Sequence, residues 1–380
     1  MARRDDTIPG APMSRKTVLV ARLSALGDVA ISIPLIHEVC RTCSDTRFIF
    51  LTKPGMTGLF VNAPVNLSVL PVDFSQYRGA AGLWRLASRL CKEYGISIFV
   101  DLHDVVRTKL LRIFLGLRGV RCVSIDKGRA EKCALTRQRR KRLVQLKTSA
   151  IRYLETFGRA GILLPADAAK KIASPSAPPG TVYAPGAGPA EAFSTVSPPK
   201  TAGEYWLAVA PFAAHKGKIY PPGLMREVIM HFAAQKGVRI FLFGFGKNEE
   251  NEIDRLCAGC ADTVNMARAR LGIGAELALL SHCDAMLSMD SANMHLASLA
   301  GLRAVTVWGA THPCAGFYGA GQNPADAIQL DMDCRPCSIF GNRPCRMGGY
   351  PCLTQIPAAS INSKLQAIAL LQRQTPSGRP

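Results

Sequence analysis

Short apolar runs rich in Val, Ile and Leu alternate with longer amphipathic stretches along most of the chain. In the first half, runs at 17–22, 47–51, 67–71, 96–100 and 121–124 predict strands, and the stretches 29–43, 80–93 and 104–116 predict helices. Apolar strands separated by helices imply a parallel sheet covered on both faces. From about 165 to 204 eight prolines interrupt a stretch rich in Ala, Gly and Ser, which predicts a linker or long surface loop. The alternation then resumes, with strands expected at 206–210, 238–243, 285–288 and 304–307 and helices at 222–236, 248–260, 274–282 and 292–300. A last helical stretch, 358–372, is expected to fold back towards the linker.

This pattern predicts an α/β protein of two Rossmann-like domains with parallel sheets facing across a cleft. The expected division is a loose N-terminus at 1–15, a first domain at 16–164, a linker at 165–204, a second domain at 205–356, and a C-terminal helix and tail at 357–380. No close internal repeat accompanies it, so the duplication is one of architecture.

Composition narrows the class. Hydrophobic residues at 48% and charged residues at 19% supply real cores and exclude general disorder. No apolar run approaches the roughly 18 residues that a membrane span needs, and no apolar stretch follows the charged start, so the expected location is the cytoplasm. Thirteen cysteines in a reducing compartment argue against a disulfide framework. The net charge of +20 favours an anionic partner: a phosphorylated lipid, a membrane surface or nucleic acid. Nucleic acid is disfavoured, because the chain has no RRM or zinc-finger signature and no paired aromatic stacking platform.

The candidate chemistry lies at strand-to-helix turns. Asp290-Ser291-Ala292-Asn293-Met294-His295 follows a buried strand and opens a helix, where unpaired N–H groups and the macrodipole favour an anion. Ser291 adds a hydroxyl, the small Ala292 admits a diphosphate to the backbone, and His295 lies one turn in; the segment also reads as a plain helix cap. Arg22-Leu-Ser-Ala-Leu-Gly27-Asp28 ends the first strand, and Asp28 there can act as a general base or simply start a helix.

Together with Lys218-Ile-Tyr-Pro221, these segments resemble the ADP-heptose:lipopolysaccharide heptosyltransferases, in order and spacing, from about 17 to 357. The resemblance implies the GT-B fold, with the acceptor on the first domain and the nucleotide sugar on the second. It implies inverting transfer of heptose from ADP-heptose to lipid A with inner-core sugars, with no metal or other cofactor required. It makes Asp28 the base, sets Lys218 against the donor phosphates ahead of its neighbour Lys216, and puts Asp290, Ser291, Ala292 and His295 on the phosphate turn. Many relatives have Gly where this chain has Ala292, so the methyl is expected to narrow that turn or to force a slightly different backbone. Glu249, or its neighbour Glu250, is placed to accept ribose hydroxyls, and Thr311 in the loop 308–313 to touch the donor. His103 and Arg107 after the fourth strand, Arg140 in the basic run 127–147, and Arg152 are acceptor-side candidates, because guanidinium groups pair well with phosphate and carboxylate. The location implied is peripheral, on the inner face of the inner membrane; the oligomeric state stays open. Another nucleotide sugar, used by a transferase or an epimerase, is the alternative.

Cys334, Cys337, Cys345 and Cys352 begin with zinc-ligand spacing, but the second pair is six residues apart. Structural zinc, reduced packing thiols and a redox pair all remain open for them.

Overall fold

The computed structural model describes residues 16–173 and 182–374. The expectation for 1–15, part of the expected linker and the last six residues lie outside the described residues. The first sheet contains β1 (Thr17–Ala21), β2 (Arg47–Thr52), β3 (Leu67–Pro71), β4 (Ile96–Asp101) and β5 (Arg121–Ser124), in the order β3-β2-β1-β4-β5. The second contains β6 (Tyr205–Ala210), β7 (Val238–Leu242), β8 (Thr263–Asn265), β9 (Ala285–Met289), β10 (Ala304–Val307) and β11 (Ala327–Ile328), in the order β11-β10-β9-β6-β7-β8. Every pairing in both is parallel.

Alternate side chains of the central strands enter different cores, as the two-residue period requires. Val18 and Val20 of β1 join one apolar cluster while Leu19 and Ala21 join another. In β6, Trp206 and Ala208 face the same cluster as Val18, and Leu207 and Val209 face a third. One apolar cluster therefore runs continuously through both halves. It contains most of the buried face of helix Leu26–Thr42, which packs directly on helix Ala292–Leu299 of the second half.

Strand order reverses between β1 and β4 in the first sheet and between β6 and β9 in the second. In open α/β sheets ligands bind outside the carboxyl ends of the strands at such a switch point. Here the two switch points are brought face to face by the packing of the two helices that follow β1 and β9.

The sequence reading missed the short edge strands β8 and β11 and the helices Arg129–Leu135, Ser149–Arg159 and Ala166–Ala173. Ser149–Arg159 starts conventionally, with the Thr148 hydroxyl accepting the Ile151 N–H at 3.2 Å. Its signal was masked by the basic run before it. Helix Ala358–Gln374 packs on helix Pro222–Ala233 and on β9 and β10 of the second half. No helix among the described residues is long and apolar enough to cross a membrane.

Candidate active site

β1 ends in a loop that delivers Asp28 into the first turn of helix Leu26–Thr42. Its carboxylate forms an ion pair with Arg22, whose buried guanidinium also donates to the Leu102 carbonyl at 2.9 Å and so ties the β1 loop to the β4 loop. The Asp28 side chain is 28% exposed while Arg22 is only 9% exposed, so the cation is fixed and the carboxylate opens to the cleft. Beside it, His103 Nδ1 accepts the Leu23 N–H at 3.4 Å, and Asp101 accepts the His103 and Asp104 N–H groups at 2.9 and 2.8 Å. The Leu102 carbonyl and the His103 imidazole thus hold the base loop from the β4 side, and Asp101 shapes the β4 loop that carries them.

Across the contact, Lys218 Nζ lies 2.9 Å from Asp290 Oδ2 at the end of β9. That oxygen makes no aligned hydrogen bond, so the contact is an ion pair rather than a directed bond. His295, one turn into helix Ala292–Leu299, is buried, and its Nδ1 has no protein partner. Burial lowers its pKa to about 4, against the opposing pull of Asp28 and Asp290, so the ring is neutral near pH 7. Thr311, after β10, is also buried with its hydroxyl unpartnered. Buried polar atoms almost always have partners; two without one at the end of adjacent strands suit a site completed by a polar ligand.

The halves meet closely at Gly27. A Cβ there would lie 2.8 Å from His295 Cδ2 and 3.3 Å from Ala292 Cα, so a side chain at 27 would displace the imidazole. Ala292 itself does not adopt the left-handed backbone that would favour glycine there.

Two features absent from the sequence reading support the donor side. Arg335 is buried, and its guanidinium donates to the carbonyls of Gly309 at 2.5 Å, Trp308 at 3.1 Å and Thr311 at 3.0 Å, and to Gln329 Oε1 at 2.9 Å. It fixes the loop that carries Thr311. Gly341 lies against the Lys218 stem, where an added Cβ would stand 2.5 Å from Lys218 Cγ. No periodic pattern marks either residue; each sits in an irregular loop beyond β11.

Glu249 and Glu250 separate cleanly. Glu249 accepts the Phe245 N–H at 2.7 Å beside the β7 end, whereas Glu250 is occupied by Lys247 at 2.7 Å and Arg268 at 3.6 Å. Ser291 faces Ser288, with their hydroxyls 3.3 Å apart. His312 caps a short turn by accepting the Cys314 N–H at 3.1 Å.

The four acceptor-side candidates do not converge. His103 stands beside Asp28. Arg107 lines a pocket of about 600 Å³ with Lys53, Asp73, Phe74 and Arg78, its guanidinium 5.6 Å from the Phe74 ring centre. Arg140 is exposed on a strap that reaches the second half, where Lys141 donates to the Asp333 carbonyl at 3.0 Å and Leu146 N–H to the Cys314 carbonyl at 2.9 Å. Arg152 is buried, with its guanidinium packed beneath Gly128 and paired with Glu131 at 2.7 Å. Sequence alone did not reveal its pairing with Glu131.

The zinc reading of 334–352 finds no support: among the described residues no group of three or more His, Cys, Asp or Glu is placed to hold a metal ion. Cys352 packs in the second core, and the Cys337 and Ser338 N–H groups donate to the Ala310 carbonyl at 3.0 and 3.2 Å. The segment braces the donor-side loop.

Four imidazoles, His37, His103, His295 and His312, have pKa values lowered to about 4, burial being the first cause for each. Above about pH 6.5 they are neutral in both folded and unfolded chains, and their contribution to stability is complete. As pH falls from there towards about 4, the unfolded chain takes up protons that the folded chain refuses, and stability drops. The urea midpoint is therefore expected to be clearly lower at about pH 5 than at about pH 7.5, and equal midpoints would refute the linkage.

The model of glycosyltransferase family 9 (heptosyltransferase) matches residues 84–350, well over half the chain. Lipopolysaccharide heptosyltransferase 1 of Pseudomonas aeruginosa is 22% identical over 339 residues, covering 84% of this chain and 85% of that protein. Among solved structures, E. coli ADP-heptose lipopolysaccharide heptosyltransferase II has a TM-score of 0.68 at 15% identity, covering 94% of this chain and 99% of that one. E. coli heptosyltransferase WaaC with ADP gives 0.61 at 20%, covering 93% and 99%. A family 9 glycosyltransferase from Veillonella parvula gives 0.66 at 16%, covering 94% and 98%. At these identities the structural matches carry the fold, which is GT-B, and the family match carries the rest: the chain belongs to glycosyltransferase family 9, the heptosyltransferases, and is a glycosyltransferase.

Proposed function

We propose that the chain transfers heptose from ADP-heptose to an inner-core lipopolysaccharide acceptor with inversion at the anomeric carbon. The observation that carries this reading is the meeting of the two switch points at Gly27, which sets Asp28 of one half beside His295 and the Lys218–Asp290 pair of the other.

In this reading residues 16–164 receive the acceptor, 205–356 hold the donor and 165–204 link them. Asp28 takes the proton of the acceptor hydroxyl as its oxygen bonds to the anomeric carbon, and the bond from that carbon to the diphosphate breaks on the opposite face. Charge gathers on the departing ADP, where Lys218 and the N–H groups at the start of helix Ala292–Leu299 are already aimed. Asp290 orients Lys218, while Ser291, neutral His295 and Thr311 donate to diphosphate oxygens. Ala292 leaves the backbone accessible. Glu249 accepts the ribose hydroxyls. His103 holds the base loop, and the Lys53, Arg78 and Arg107 pocket takes anionic groups of the acceptor. No step requires a metal ion.

Support for ADP comes from E. coli WaaC, solved with ADP and with ADP-2-deoxy-2-fluoro heptose, and from the E. coli ADP-heptose lipopolysaccharide heptosyltransferase II. Two measurements test the reading together. ADP is expected to bind more tightly than UDP or GDP, and lipopolysaccharide from a strain lacking this chain is expected to be truncated in the heptose region of its core. Preference for UDP with an intact core would replace it with a different nucleotide-sugar transferase.

A further inference from the structure

Helix Val106–Gly116 has two apolar faces. Thr108, Leu111 and Leu115 are buried against the first sheet. On the opposite side Val106 is 74% exposed, Ile113 54% and Leu117, just past the helix end, 71%. With half-buried Leu110 these residues follow an i, i+4, i+7, i+11 spacing, which places them on a single stripe. Isolated exposed aliphatics are ordinary, but a continuous stripe over three turns is not.

Trp84 of the neighbouring helix Gly79–Tyr94 extends the stripe. It is 44% exposed, meets Phe114 edge-on at 5.3 Å, and lies under the Arg118 guanidinium at 3.7 Å. No Asp or Glu occurs between residues 105 and 125, whereas Arg107, Lys109, Arg112, Arg118 and Arg121 do; Lys109 and Arg112 pair with Asp104 and Asp101 just before the helix, and the positive flank is carried by the other three. An apolar stripe flanked by cations, with a tryptophan at its edge, is the arrangement that lies in a bilayer interface and is drawn there by anionic headgroups.

We propose that the solvent face of helix Val106–Gly116, with Trp84, is the surface on which this half of the molecule rests against an anionic lipid bilayer. Charge complementarity selects lipid over a protein partner, since the stripe is flanked by positive charge in a chain whose net charge is +20. Position agrees: Arg107 belongs both to the flank of the stripe and to the basic pocket. A lipid-anchored molecule would thus present its headgroup to the pocket while its membrane meets the helix. In this respect the inference rests on the assignment of the acceptor to the first half.

The chain has three tryptophans, and Trp206 and Trp308 are fully buried, so Trp84 reports on this face. The intact protein is mixed with vesicles of phosphatidylcholine alone or with added phosphatidylglycerol. Cosedimentation and a blue shift of tryptophan emission are expected only with phosphatidylglycerol. Trp84→Phe should keep the binding and lose the shift. The double substitution Ile113→Ser with Leu117→Ser should weaken partitioning by roughly tenfold or more at unchanged ADP affinity, which verifies the fold. Unchanged partitioning of the double variant, or equal binding to pure phosphatidylcholine, overturns the proposal. So does self-association without lipid that the double variant abolishes, because the face would then belong to a second copy. Transfer to a detergent-dispersed lipopolysaccharide acceptor is scored separately: its failure with vesicle binding intact removes the proposed acceptor, and its success without vesicle binding removes only the docking face.

Discussion

Asp28→Ala is expected to lower kcat about a thousandfold while the fold and the ADP affinity stay close to those of the unaltered chain. General-base catalysis contributes roughly 10²- to 10⁴-fold, equivalent to about 3–5 kcal/mol of barrier. The carboxylate is well placed for the role: it is open to the cleft on one side and held by buried Arg22 on the other. Its removal leaves the Arg22 bond to the Leu102 carbonyl in place, so the β1 loop remains tied to the β4 loop. Asp28→Asn keeps the shape and loses the basicity, and it should be nearly as inactive. Turnover by either variant within a few-fold of normal would remove Asp28 from the mechanism. The measurement needs steady-state transfer rates together with ADP titration, so that a binding defect is not mistaken for a chemical one.

Lys218→Ala should reduce kcat by roughly 10²- to 10³-fold, the usual effect of removing one fixed donor aimed at developing charge. Unlike the Asp28 variants, it should also weaken ADP binding, because the lysine attracts the diphosphate in the ground state as well as in the transition state. Part of the loss has a structural origin, since Asp290 is left as a buried carboxylate without its cation. Lys218→Arg tests whether charge alone suffices; the stem packs against Gly341, so the broader guanidinium is expected to restore only part of the activity. Lys216, two residues earlier and exposed, is the control, and Lys216→Ala should change little. An equal effect at both positions would mean that the basic segment acts as a diffuse positive surface.

The strands that build both switch points were readable because each is an apolar run bounded by turn residues, and their parallel arrangement followed from the helices between them. Strands β8 and β11, three and two residues long, fall below the length at which a period can be recognised. The strand-to-helix turns were also legible, since Gly27-Asp28 and Asp290-Ser291 carry their residue types in a fixed local order. Long-range charge partners were not. Arg152 and Arg140 look alike in sequence, yet one is buried against Glu131 and the other is exposed on a strap between the halves. Arg335 lies in a loop beside cysteines that drew attention to metal chemistry, and its role depends on carbonyls contributed by residues 308, 309 and 311. A single residue in irregular chain has no period to betray which way its side chain turns.

The apolar cluster that joins Val18 and Val20 to Trp206, Ala208 and Met286 bears on how far the enzyme can be dissected. GT-B halves invite cutting at the proline-rich segment and swapping donor modules between relatives. In this chain the cut would uncover one flank of a shared interior on each fragment. A chimaera must therefore carry matched partners for helices Leu26–Thr42 and Ala292–Leu299, and the seam for modular exchange runs through their packing and not through the linker.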